Sequence, residues 1–245
     1  MCARPRRPRA RDLPPAREAY HHGDLRQSLI DATEALLAER GPEGFSLREV
    51  ARRSGVSPAA PAHHFGDKEG LLAAVAALGF EGLSAELAAS RHQAGEDPAR
   101  QLLQQGVGYV RFALQHPGRF RLMFAGAFQR PHEALQREGR AAFAALEQGV
   151  RGLLGVAPDL PLDEAQQRVT LSVWAVVHGL AHLALAGQLD GWAGGPVAAA
   201  ASGADRRAMA ARQRRFMEEV LPPVLAQHLS PWTGTPARPP RRGAA

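Results

Sequence analysis

A single cysteine, Cys2, is all the thiol chemistry in 245 residues. One thiol closes no disulfide framework and builds no cysteine-based metal site, which suits a reducing cytoplasm. Long apolar runs are missing too. The N-terminal ARPRRPRARDLPPAR is rich in arginine but leads into no apolar segment, so it does not read as a signal peptide. The run LSVWAVVHGLAHLALAG from Leu171 is interrupted by Ser172, His178 and His182 and falls short of the roughly 20 apolar residues of a membrane span. A helix buried in a core or a subunit interface is expected there, with no membrane partner. Catalytic constellations are also lacking: no Ser-His-Asp or Cys-His arrangement and no phosphate-cradling glycine loop stands out. His178 and His182 share a helical face, yet HGLAH lacks the glutamate of the hydrolytic zinc motif and any third ligand. The adjacent pairs His21-His22 and His63-His64 diverge. The expectation is no enzyme, no metal and no cofactor.

What the chain does have is arginine. The formal charge is +6 and the isoelectric point is near 10.7, which favours an anionic partner. Arg4, Arg6, Arg7, Arg9, Arg11 and Arg17 fill a proline-rich arm over residues 1–23 that either follows phosphates and a minor groove or is a solvated tail. Residues 230–245, ending PARPPRRGAA, have the same composition and read as a disordered tail, and Gly191 to Gly203 as a loop. Between the arm and the tail there is room for one small domain and one ordinary helical domain.

The segment Ser46 to Lys68, SLREVARRSGVSPAAPAHHFGDK, reads as two short helices about a glycine elbow. Ser46 and Glu49 have the spacing of a capping box, and Gly55 supplies the positive φ that ends a helix, with Val56 packing back into the elbow. Ser57 is expected to cap the second helix, with Pro58 at its first position. Upstream, Asp24 and Gln27 offer another capping box for a helix whose apolar Leu25, Leu29, Ala32, Leu36 and Leu37 recur at spacings of three and four. Gly41-Pro42 stops it. The inner faces should meet Phe45, Val50, Val56, Phe65 and Leu72 in one small core.

With YHHGDLRQSLIDATEALLAERGPEGFS before it and HFGDKEGLLAAVA after it, this segment resembles the DNA-binding domain of the TetR family of bacterial transcriptional regulators, over residues 24–84. The resemblance implies a helix-turn-helix domain whose Pro58, Ala59 and Ala60 face the major groove. Ser57, His63, His64 and Lys68 would stand at phosphates or the groove edge. Arg48, in the first turn of its helix, is the long side chain best placed for a base edge, with a phosphate as the alternative. Ala62 departs from the family, which usually has a tyrosine there; a phosphate hydrogen bond is lost, so either binding is weaker or His63 and the arginine arm compensate.

The remainder, residues 85–229, reads as all-α, with helices expected over Asp67 to Arg91, Pro98 to His116, Gly118 to Ala127, Pro131 to Gly155, Asp163 to Gln188 and Asp205 to His228. Trp174, His178 and Gly179 resemble the W-x-x-x-H-G signature of a C-terminal ligand and dimer domain of one TetR subfamily. Gly179 would let a neighbouring helix approach closely. Phe112, Phe124, Trp174 and His178 are candidate ligand contacts, and Phe120, Met123, Phe128 and Tyr109 lie in the same stripe. Packing is the competing role for all of them. The whole implies a cytoplasmic homodimer, most simply a repressor that binds a palindromic double-stranded DNA operator and is released by a small-molecule effector through the helix starting near Asp67. The last two helices, with Leu221 and Leu225, are the candidate dimer interface. A DNA-binding activator or nucleoid-type protein without an effector is the other class that the helix-turn-helix allows.

Overall fold

A computed structural model describes residues 22–126, 128–189 and 215–233. Among these residues there are helices and no strand: α1 (His22–Arg40), α2 (Leu47–Arg53), α3 (Ala60–Phe65), α4 (Lys68–Gln93), α5 (Pro98–Gln115), α6 (Pro117–Met123), α7 (Glu133–Leu154) and α8 (Glu164–Leu185). A π-helical turn (Phe216–Val220) then leads into α9 (Leu221–Thr233). Pro222 and Pro223 account for that turn, because they have no N–H to offer the carbonyls four residues back, and the helix widens there. The arginines of the arm, the Gly191 to Gly203 stretch and the helix start expected at Asp205 lie outside the described residues. So does Ala127.

Local chemistry sets most helix ends. Ser46 is extended (φ −124°, ψ 161°) and its side chain accepts the Glu49 N–H at 3.4 Å, but the capping box is only half made, since the Glu49 carboxylate pairs instead with Arg40 at 2.9 Å. At the elbow Gly55 takes φ 67°. Its N–H reaches Arg52 O at 3.3 Å and the Val56 N–H reaches Ala51 O at 3.0 Å, the two bonds of a Schellman stop. Asp67 caps α4 by accepting the Gly70 N–H at 2.8 Å. Asp163 and Gln166 form a complete capping box on α8.

Four expectations need correction. Helix α1 starts at His22, ahead of Asp24, and the Gln27 amide donates forward to Asp31 at 2.7 Å rather than closing a capping box. Ser57 does not cap α3: its carbonyl accepts the Ala60 N–H at 3.0 Å in a turn over Pro58 and Ala59. The helix therefore begins at Ala60, and Pro61 falls in its first turn, where an absent N–H breaks no helical bond. Helix α9 runs through Thr233, into the expected tail, because Leu229 and Trp232 pack against Leu102, Val150 and Val173. Finally, α8 is 22 residues long and, like α4, is long and apolar enough by length and composition to cross a membrane. In both, part of that apolar surface is buried within the protein.

Helix α4 is the spine. Its first half closes the small core of the DNA-binding domain, where Leu29, Ile30, Leu36, Phe45 and Val50 meet Leu71 and Val75. Leu71, not Leu72, is the fully buried member of that pair. The same core runs on without a break through Leu83, Leu87, Val110 and Phe120 into the second domain. Leu221 and Leu225 point into it. They are 0% and 3% exposed, and a Cβ on Gly106 of α5 would come within 2.8 Å of Leu225 Cδ1. A charge at either leucine would disrupt the protomer itself, so these residues are core and not a free dimer face.

Candidate nucleic-acid interface and ligand cavity

At one end of the molecule the elbow presents Ser57, Pro58 and Ala59 to solvent ahead of α3, with Ala60 half-buried and Pro61 buried beneath them. His63 is exposed, and its ring meets that of His64 edge-on at 5.5 Å. The Lys68 ammonium lies 4.9 Å above the Phe45 ring, which fixes its stem and leaves it half-buried. Arg48 differs from its neighbours. Arg40 and Arg52 share Glu49, and Arg53 pairs with Glu39, whereas exposed Arg48 has no hydrogen bond or ion pair among the described residues. A cation in a first helical turn opposes the helix dipole, so helix stability does not explain it. Arg26 was missed from the sequence. Its guanidinium lies 5.2 Å from the Phe65 ring, bringing an exposed charge of α1 beside α3. No short motif marks this pairing, since it depends on how α1 crosses α3.

In the second domain α4, α5, α7 and α8 enclose a cavity of about 240 Å³. Phe80, Leu83, Leu102, Ala142, Val173 and Val177 make its wall almost wholly apolar, with Gln105 and Tyr109 among the few polar side chains. Phe124 and Trp174 line it, as the sequence suggested; Phe112 and His178 are not among the lining residues. Phe112 is buried against Gly82 and His116. His178 sits behind the wall within an aromatic cluster, its ring 4.6 Å from Phe124 and 4.5 Å from His182. A Cβ on Gly179 would meet nothing within 4 Å, so no helix among the described residues makes use of that glycine.

The Tyr109 hydroxyl lies 2.8 Å from His178 Nδ1. Burial pushes the phenol pKa up, so the phenol is the donor and a neutral imidazole the acceptor. Burial likewise holds the His178 pKa below the ordinary 6.5, and the like charge that His182 can carry lowers it further. The unfolded chain then binds a proton at pH values where the folded one does not, so stability falls as pH drops through 6.5 and stops falling below the folded value. In His178→Gln, which keeps an acceptor for Tyr109, this segment of the pH profile should flatten. Urea midpoints measured across it would decide; superimposable slopes in the two proteins would remove His178 as the titrating group.

Between the two ends runs a polar clamp. One oxygen of Glu69, in the first turn of α4, accepts the backbone N–H groups of Gln129 and Arg130 at 3.1 and 3.0 Å and lies 3.1 Å from His132 Nε2. Arg130 also donates to Asp67, at 2.7 Å to one carboxylate oxygen. Both acids are held below the usual carboxylate range, first by these or neighbouring backbone N–H groups. The α6–α7 loop that follows Phe124 is thereby tied to the exit of α3. A second tie joins Arg119 of α6 to Glu34 of α1.

A glycine elbow with an uncommitted arginine on the helix before it, followed by a helix that passes directly into a cavity-bearing helical domain, defines a helix-turn-helix DNA-binding regulator. The comparisons agree. Residues 29–75 match the model of bacterial regulatory proteins of the tetR family, and residues 102–207 match the tetracyclin repressor-like C-terminal domain. The HTH-type transcriptional regulator BetI of Stenotrophomonas maltophilia (strain R551-3) is 38% identical over 77 residues, which is 31% of this chain and 39% of that protein. The match thus spans about two fifths of the length of such curated relatives. A solved structure of a protein of unknown function from Rhodococcus sp. RHA1 is 32% identical with a TM-score of 0.60, over 81% of this chain and 97% of that one. AibR, solved with isovaleryl coenzyme A and operator DNA, shares the fold at 15% identity and a TM-score of 0.51, over 81% and 98% of the two chains. The chain belongs to the TetR family of DNA-binding transcriptional regulators.

Proposed function

We propose that the protein is a cytoplasmic, ligand-responsive repressor that binds a palindromic operator as a homodimer and releases it when a small molecule fills the cavity. The observation that carries this reading is α4. The helix supplies Phe80, Leu83 and Leu87 to the cavity wall and Asp67 and Glu69 to the clamp at the recognition helix, without a break between them. A ligand acts by binding two conformations unequally, and a rigid element shared by both sites provides the two arrangements. Phe124 and Trp174 contact the effector; Phe112 and His178 act from behind, His178 by holding the Tyr109 phenol. Arg48, Ser57, Pro58, Ala59, Ala60, His63, His64 and Lys68 form the DNA face, with Arg26 beside them.

Dimerisation has support in α8. Leu171, Ala175, Gly179 and Leu183 form a stripe at every fourth residue, and Leu171 and Leu183 are 58% and 45% exposed. Val224 of α9 is also exposed, at 42%. One short recognition helix reads too few bases for useful specificity, which a twofold pair on a palindrome remedies.

Genome-wide binding of the full-length protein tests the reading. The expected result is a small number of sites sharing an inverted repeat. Dense binding that follows no sequence would replace the repressor with a nucleoid-type protein.

A further inference from the structure

The apolar cavity is adjoined by a separate, more polar cleft. At about 240 Å³ the apolar cavity is smaller than the roughly 300–1,000 Å³ of most ligand sites, so a ligand of ordinary size must project beyond it. One direction is marked by the chain itself. Leu87, Leu102 and Leu146 line the cavity, and their immediate neighbours Ala88, Gln101 and Ala145 line a cleft that opens to solvent on the same three helices. Gln105 lines both.

Gln105 forms the partition. It is 2% exposed, its amide donates to Ala145 O at 3.2 Å, and its Oε1 has no hydrogen-bond partner, being pressed toward Gly149. A buried acceptor left unpaired is destabilising, which a purely structural glutamine has no reason to bear. On the far side stand Arg91 and His92, with Glu96 as the one acid lining the cleft. Arg91 donates to Gln148 at 3.3 Å and has no carboxylate within ion-pair distance among the described residues. Its charge is available to a ligand.

We infer that the effector is an amphipathic acid: an aliphatic chain in the apolar cavity, passing Gln105, with its anionic head on Arg91 in the outer cleft. This rests on the cavity being the effector site. A guanidinium prefers a carboxylate to a neutral hydroxyl through charge-assisted, paired hydrogen bonds.

Calorimetric titration of the full-length protein with hexanoate, octanoate, decanoate and dodecanoate, and with the matching primary alcohols, tests it. Affinity should rise with chain length until the cavity is full. Each acid should bind about tenfold tighter than its alcohol, Arg91→Ala should erase that ratio without weakening the alcohols, and Arg91→Lys should restore most of it. Equal binding of acids and alcohols, unchanged in Arg91→Ala, would overturn the inference, leave the cavity as the effector site and assign Arg91 to the end of α4 alone. Absence of any chain-length dependence would overturn the cavity reading together with this inference.

Discussion

Leucine in place of Gly179 is expected to split the proposed homodimer while leaving the protomer at least as stable as before. The two effects separate because of where the glycine points. A Cβ there meets nothing within 4 Å among the described residues, and no positive φ demands a glycine. Within the protomer the substitution therefore acts mainly through helix propensity, worth about 0.8–1.0 kcal/mol in favour of a good helix former over glycine. Across a subunit interface the same side chain fills the space that allows α8 of a second copy to approach, and overpacking of this kind costs about 1–3 kcal/mol in each half of a symmetric contact. Sedimentation should show a monomer and thermal melting an unchanged or raised midpoint, with operator binding lost along with the twofold pair. A dimer that persists with normal affinity would move the interface off the Leu171 to Leu183 stripe.

This stripe shows which parts of the molecule were legible in the sequence. Some features governed by local rules were read well, since the Gly55 elbow, the Ser46 cap and the start of α8 depend on bonds made within a few residues, while the caps expected at Asp24 and Ser57 were not made as read. Choices between the two faces of a helix were read less well. Leu221 and Leu225 have the spacing of an interface, and so does Val224, but only the packing of α9 onto Gly106 decides that the leucines face inward and the valine outward. Gly179 was recognised as a place for close approach, yet no helix among the described residues approaches it. His178 was read as a pocket residue from its position next to Trp174; one turn of the helix carries it behind the wall, where its partner is Tyr109, 69 residues away in sequence. The clamp on Glu69 left no trace at all. Its strongest bonds use backbone N–H groups of a loop, which carry no side-chain signature.

On the DNA face the discriminating residue is expected to be Arg48. Its replacement by alanine should lower affinity for the operator by about 1–3 kcal/mol while leaving random DNA nearly unaffected, since a bidentate base contact carries sequence information and a phosphate contact does not. The geometry favours this role, because Arg40, Arg52 and Arg53 are already engaged by Glu49 and Glu39 and Arg48 is not. Lys68 should behave differently. Its ammonium lies over the Phe45 ring, so Lys68→Ala removes a phosphate-side charge and part of a packing contact together. Binding should then weaken by the same factor on operator and random DNA, the salt dependence should become shallower, and the melting midpoint should drop slightly. Competition titrations of both variants against operator and random duplexes, run at two salt concentrations, separate the roles. Equal losses on both DNAs for Arg48→Ala would make Arg48 a phosphate contact and shift base reading to the apolar surface of Pro58, Ala59 and Ala60, where thymine methyl groups are the only features such side chains can recognise.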